Sequence, residues 1–191
     1  LCKLVDSHLV RWAREVGNTD VDTFIIPSDC PRFQSGDAKG LVKASTRGDD
    51  LYIFVDPGNY SVTYQLFGYE NHLSPDDHFQ NLMRLIQAVA GRAHRISVIM
   101  PSLYGGRQHR RVSRESLDCA FALQQLRDVG VKNIITFDAH DPRVMNAVPT
   151  MSFDNVMPTY QVLKCLLHHV PDVSFHKDNF MIVSPDEGAM N

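Results

Sequence analysis

No apolar run in the sequence approaches the roughly 20 residues that a membrane-spanning helix needs. The opening, "LCKLVDSHLVRWAREVG", reads as an amphipathic helix and not as a secretory signal. A cytoplasmic protein with no membrane partner is expected. Cysteine is scarce: Cys2, Cys30, Cys119 and Cys165 show no Cys-X-X-Cys spacing, so no disulfides are expected. Cys119 and Cys165 fall inside helical patterns, where a free cysteine behaves as a small core residue. An excess of positive charge is also missing. The formal net charge is −3, which argues against a general nucleic-acid or membrane-surface binder. Internal repeats and low-complexity segments are absent too. What remains is 191 residues, 43% hydrophobic and 21% charged, enough to build the core of one ordinary domain or one and a half. The sequence starts at Leu1 and stops in "SPDEGAMN", which reads as a loop, so a piece of a longer chain is expected.

Alternating elements follow from the apolar spacing. Leu4, Val5, Leu9, Trp12, Ala13 and Val16 fall at helical intervals, "VDTFII" reads as a strand, and residues 27–40 as a loop. "LYIFV" is a second short apolar run. In "SPDDHFQNLMRLIQAVAG", Ser74 is placed as N-cap, Pro75 at the first helical position, Asp76 and Asp77 at the positive end of the dipole, and Gly91 as the stop. Phe79, Leu82, Met83, Ile86 and Val89 form its inner face. The rhythm then repeats: strand "RISVIM", a helix capped by Ser113 and stopped by Gly130, strand "KNIITF", helix "PTYQVLKCLLHHV" and strand "NFMIVS". Short continuous apolar strands alternating with helices predict an α/β fold, a parallel sheet with helices on both faces. Residues 56–74, with Tyr60 and Tyr64, read only as turn or interface.

Residues 104–116, "YGGRQHRRVSRES", hold four arginines, directly after "RISVIM". In a slightly acidic chain such a cluster serves something local, and a small anion is the expected partner. Ligands of open α/β sheets bind at the carboxyl ends of the strands, and three polar stretches begin there: "PSLYGGRQHRR", "DAHDPR" and "SPDEG". A cationic loop, an Asp/His pair and a small acidic loop on one rim suit a polyphosphate with its magnesium. Arginine offers paired donors to phosphate oxygens, and carboxylates hold the metal. Each piece also has a plainer reading: a solvated arginine patch, a structural Asp–His pair, an ordinary turn. His168 and His169 read as favourable charges at a helix carboxyl end, and His8, His72, His78, His94 and His176 carry no assigned role.

Taken in order, "VIMPSLYGGRQHRRVSRES", "GVKNIITFDAHDP", "FDN" and "MIVSPDEG" resemble the ribose-phosphate pyrophosphokinase (phosphoribosyl pyrophosphate synthetase) family, from about Phe33 to Met190. The resemblance implies a type I phosphoribosyltransferase-like architecture. Residues 1–175 would be the amino-terminal ATP-binding domain, and residues 176–191 the start of a second, ribose 5-phosphate binding domain. It implies magnesium-dependent transfer of the diphosphoryl group of ATP to the C1 hydroxyl of ribose 5-phosphate, giving phosphoribosyl diphosphate and AMP. Such catalysis depends on positioning and charge neutralisation. Arg107, Gln108 and Arg110 match the family's ATP loop, and Arg110 is taken with His140 as catalytic. Asp138 and His140 match the Asp-X-His that serves magnesium and the triphosphate, and Asp154 a later acidic metal position. Phe33 and Asp37, in "FQSGD", resemble the segment that reaches the adenine site of a neighbouring subunit, so a homo-oligomer, hexameric or dimer-based, is implied. Ser184, Pro185, Asp186 and Gly188 match the loop that opens the second domain on the ribose-phosphate side.

Departures from the family pattern are as informative. His109 stands where the family carries Asp, and no acidic residue between Asp141 and Phe153 matches a second family position. The ribose 5-phosphate loop and the basic loop that closes over ATP would lie beyond Asn191. The chain as given is therefore expected to bind nucleotide without turning over. Two rival readings are a catalytically silent regulatory paralogue and a metal-dependent phosphoesterase using Asp138, His140 and Asp141.

Overall fold

The computed structural model describes residues 1–170 and 173–184. Two units separate in it, Leu1–Val156 and Met157–Asn191; the domain boundary expected after residue 175 falls inside the second. In chain order the first unit contains α1 (Cys2–Glu15), β1 (Ser28–Asp29), β2 (Leu41–Val42), β3 (Asp50–Phe54), β4 (Thr63–Leu66), β5 (Tyr69–His72), α2 (Pro75–Val89), β6 (Arg95–Ile99), α3 (Asp118–Asp128), β7 (Asn133–Phe137), a 3-10 helix (Pro142–Ala147) and β8 (Ser152–Val156). Strands β3, β6, β7 and β8 form a parallel sheet in that order, the α/β architecture read from the sequence. β1–β2 and the hairpin β4–β5 are separate antiparallel pairs.

The start of α2 is built as its sequence dictates. Ser74 Oγ accepts from Asp77 N at 3.1 Å, and the Asp77 carboxylate accepts from Ser74 N at 3.0 Å, a reciprocal cap that satisfies two orphan donors. Phe79, Leu82, Met83, Ile86 and Val89 are all buried, each worth about 1.5–3 kcal/mol of transfer free energy. They join Leu123 and Leu126 of α3, Val144 and Val148, and strand residues Ile96, Val98 and Ile134 in one core cluster, with Leu51, Ile53 and Phe153 packed against it. These strand residues share one parity across the register and hence one face. Successive crossovers that advance in one direction with the usual right hand lay their helices on the same side. The core cluster thus draws the residues of α2, α3 and the 3-10 helix onto this face. Tyr52, Ile99, Ile135 and Asp154 alternate onto the other.

Three predicted elements are absent or shortened, and β8 of the main sheet is not among the strands read from the sequence. Residues 21–26 form no strand: the Asp6 carboxylate takes the Phe24 amide at 2.6 Å and Thr23 Oγ1 at 3.0 Å, and Pro27 ends the run. α3 begins at Asp118 and not after Ser113, because Glu115 accepts from Val112 N at 2.7 Å and Ser116 Oγ bonds the Asp118 carboxylate at 2.9 Å, holding residues 112–117 as a loop. Residues 179–184 form no strand, and Met181, Ile182 and Val183 are exposed. The unassigned residues 56–74 contain the β4–β5 hairpin, whose turn holds Phe67 at φ 51° and Gly68 at φ 82°.

The second unit contributes α4 (Thr159–His169), with His168 and His169 in its last turn as expected. None of its residues is buried, so Cys165 is an exposed thiol and not a core residue, whereas Cys119 is fully buried in α3. All four cysteines are free. Among the described residues no helix is long and apolar enough to cross a membrane.

Candidate functional site

Adjacent parallel strands β6 and β7 end at one level: Met100 N donates to Ile135 O at 2.9 Å and Phe137 N donates to Pro101 O at 3.2 Å. Two loops therefore leave neighbouring carboxyl ends side by side, residues 101–117 with the arginines and residues 138–141 with the Asp/His pair.

The arginine loop is a chain of tight turns. Gly106 N donates to Leu103 O at 3.0 Å and Gln108 N to Gly105 O at 2.7 Å. Gly105 sits at φ 64°, and a Cβ on it would stand 3.0 Å from Cys119 N, so the loop lies against the start of α3 through a position suited only to glycine. Tyr104 stacks on Phe79 with ring centroids 4.5 Å apart, and its hydroxyl donates to Asp76 at 2.6 Å. That carboxylate and partial burial push the phenol up to about 12. Arg107, Gln108, Arg110, Arg111 and Arg114 are exposed. Arg32, Arg95, Arg127 and Arg143 each hold an ion pair, but among the described residues none of the four loop guanidiniums has a hydrogen-bond or ion-pair partner.

Asp138 adopts φ 47°, a left-handed conformation that aspartate tolerates better than most side chains, and its amide donates to Val156 O at 3.1 Å. This kink turns the chain out of β7. Ala139 is buried and donates to Asn155 Oδ1 at 2.9 Å, which leaves Asp138 and His140 exposed on either side of it. His140 lies beside His109 of the arginine loop, ring centroids 5.0 Å apart. His109 Nδ1 is 3.3 Å from Gly106 O, and its Nε2 is 3.4 Å from Asp141 Oδ2. Asp141 also receives Arg143 through Nε at 2.9 Å, Nη2 at 2.7 Å and the backbone N at 2.9 Å. The Arg143 guanidinium and amide hold the Asp141 carboxyl well below the usual carboxylate range.

Arg107, Gln108, Arg110, Asp138 and His140 thus share one rim. Asp154 lies on β8, paired with Ile135 of β7 and two residues before Val156, whose carbonyl takes the Asp138 amide. Among the described residues no three carboxylate, histidine or cysteine side chains are clustered to hold a metal. Magnesium commonly takes one or two protein carboxylates and fills its octahedron with water and phosphate oxygens, so the exposed Asp138 carboxylate fits that ion. Ser184 is described and Pro185, Asp186 and Gly188 lie outside the described residues.

Phe33 and Asp37 face each other across a tight turn, Phe33 N donating to Asp37 O at 2.7 Å and Ser35 Oγ bonding Asp37 Oδ2 at 2.8 Å. Both side chains are exposed. The residue that organises this loop, Arg32, belongs to no motif. Its guanidinium donates to Gly36 O at 3.0 Å and to Asp77 Oδ1 at 2.7 Å, and lies 4.4 Å over the Tyr64 ring. Burial opposes ionisation of Asp77, but hydrogen bonds from Ser74 and Arg32 outweigh it and lower its pKa. The first turn of α2 therefore fastens both loops, Asp77 through Arg32 and Asp76 through Tyr104. Asp76 and Asp77 were legible only as dipole partners, and Arg32, Tyr104 and Asp141 carried no signal of their partners.

Comparison with known proteins converges on one family. A model of the N-terminal domain of ribose phosphate pyrophosphokinase matches residues 7–130. Ribose-phosphate pyrophosphokinase 1 of Candida albicans is 26% identical over 144 residues, covering 74% of this chain and 41% of that protein. The crystal structure of phosphoribosylpyrophosphate synthetase from Mycobacterium smegmatis superposes with a TM-score of 0.63 at 18% identity, covering 82% of this chain and 47% of that one; this likeness is one of fold. The chain spans less than half the length of either relative. A parallel sheet with its polar loops at the carboxyl ends, matched over more than half of its residues by that domain, makes this chain a member of the ribose-phosphate pyrophosphokinase family, of which it carries the N-terminal part.

Proposed function

We propose that this chain supplies the ATP-binding part of a ribose-phosphate diphosphokinase, which transfers the diphosphoryl group of ATP to the C1 hydroxyl of ribose 5-phosphate and releases AMP. The observation that carries this reading is the set of exposed, unpaired guanidiniums on the loop after β6, one strand from the exposed Asp138 and His140. Arginines held for structure find carboxylates; four that have none at a strand end suit a polyanion.

Arg107 and Gln108 bind and orient the phosphates, and Arg110 faces the charge that develops on the transferred group. His140 donates a hydrogen bond to a phosphate oxygen, a role that suits imidazole better than ligating magnesium. Asp138 holds the magnesium, which supplies neutralisation of the phosphoryl oxygens when bound. No protein nucleophile is needed, since phosphoryl transfer of this kind depends on alignment and charge stabilisation. Phe33 offers an aromatic face and Asp37 an acceptor for the adenine of a neighbouring subunit, which requires a homo-oligomer. The cytoplasm, where ATP and sugar phosphates are available, is the matching location.

The test is to express the full-length gene product and measure AMP formation. Dependence on both ATP and ribose 5-phosphate is expected. ATP binding without turnover would favour the silent regulatory paralogue instead, and phosphate release that ignores ribose 5-phosphate would favour the phosphoesterase.

A further inference from the structure

We propose that His109 is a positioning residue that ties the arginine loop to the Asp–His loop, with Asp141 as its anchor. The inference rests on the ATP-binding reading of the two loops. The side chains of His109 and Asp141 are each only 11% exposed, in a stretch whose arginines are all exposed. Both ring nitrogens of His109 face oxygen: Nδ1 the Gly106 carbonyl within its own turn at 3.3 Å, and Nε2 the Asp141 carboxylate on the neighbouring loop at 3.4 Å. The other groups around the pair are the His140 ring, 5.0 Å from that of His109, and Arg143, which grips Asp141 from the solvent side. Arg143 also fixes the anchor, because Asp141 accepts its backbone amide at the start of the 3-10 helix.

The consequence falls on the residues flanking His109, Gln108 and Arg110, which belong to the proposed phosphate-binding set. A loop carrying four like charges repels itself, and a single, mostly enclosed ion pair to the adjacent strand end opposes that spreading. The contact also accounts for the departure from the family pattern. An aspartate at position 109 would set two carboxylates against each other, whereas an imidazole N–H can donate to Asp141. His109 and Asp141 therefore act as a matched pair.

The experiment uses the full-length protein, as wild type and as His109→Ala, His109→Asp and His109→Gln. Tryptic cleavage after Arg110 and Arg111, without nucleotide, reads the tie directly, since cleavage of a transiently open segment follows the population of its open form. His109→Ala and His109→Asp are expected to be cut about tenfold faster, the effect of losing the mostly enclosed ion pair with Asp141. His109→Gln, which keeps a donor, should stay within about threefold of wild type. In turnover, His109→Ala should raise KM for ATP by about tenfold with kcat nearly unchanged, a split that general loss of folded protein does not produce. Should the Ala variant fail to fold, the Gln and Asp variants decide between themselves. Equal cleavage of those two, or unchanged cleavage and KM in His109→Ala, overturns the proposal. If wild type binds no ATP, the functional reading fails and cleavage alone judges the tie.

Discussion

The hydroxyl of Tyr104 donates a 2.6 Å hydrogen bond to Asp76 Oδ1, joining the first residues of the arginine loop to the first turn of α2. Tyr104→Phe keeps the stack on Phe79 and removes that bond. The pair is near the surface, so a loss of about 1 kcal/mol is expected, below the usual range for a bond to a charged group. That corresponds to a fall in Tm of about 2–4 °C for a chain of this size. An unchanged Tm in calorimetry would show that Asp76 is equally well served by water.

Arg107 is exposed and unpaired among the described residues, so Arg107→Ala should leave the fold intact. Its expected effect is a loss of about 1.5–3 kcal/mol in ATP affinity, read by titration calorimetry on the full-length protein. Arg114→Ala, close to the start of α3, should cost less. Undiminished ATP affinity in folded Arg107→Ala removes this residue from the site.

His140 is exposed beside His109 and makes no hydrogen bond among the described residues. A contact that strengthens as phosphoryl charge develops acts on the transition state. His140→Ala should therefore reduce kcat by at least about tenfold while changing ATP affinity by less. Near-normal turnover with lowered thermal stability would leave His140 a structural residue.

Gly40 packs directly on the backbone of α2: a Cβ added there would lie 2.5 Å from Arg84 O and 2.6 Å from its carbonyl carbon. Those atoms belong to the helix ladder and cannot step aside. Gly40→Ala should therefore destabilise the first unit by about 3 kcal/mol, the upper end of ordinary overpacking, measured as a shift in urea midpoint.

Asp77 and Asp141 both have native pKa values below the ordinary one. For such groups the folded state binds its proton later than the unfolded state. Their stabilisation is thus complete above the unfolded value near 3.9 and is lost as pH falls through the native values. Thermal melts from pH 7 to pH 3 should show the wild type losing stability below about pH 4. Asp77→Asn, already less stable at neutral pH, should lose less, so the two curves converge in acid. Parallel curves would mean that Asp77 contributes nothing to the acid limb.

Local chemistry determined much of this molecule in the sequence itself. Ser74, Pro75 and Asp77 specify the start of α2 because a cap acts within four residues, and Phe79, Leu82, Met83, Ile86 and Val89 specify its buried face because helical spacing is local geometry. β3, β6 and β7 were legible as apolar runs, and the rim bearing Arg107 and Asp138 followed from where those runs end. Tertiary structure decided the rest. Residues 21–26 have strand composition, yet the side chain of Asp6 in α1 takes their donors. Arg32 finds Asp77 across 45 positions, and His109 finds Asp141 on the next strand's loop. Caps, periods and turns are written in neighbouring residues; a charge's partner and a strand's neighbour depend on which distant segments the fold brings within a few ångströms, and no short-range pattern encodes that choice.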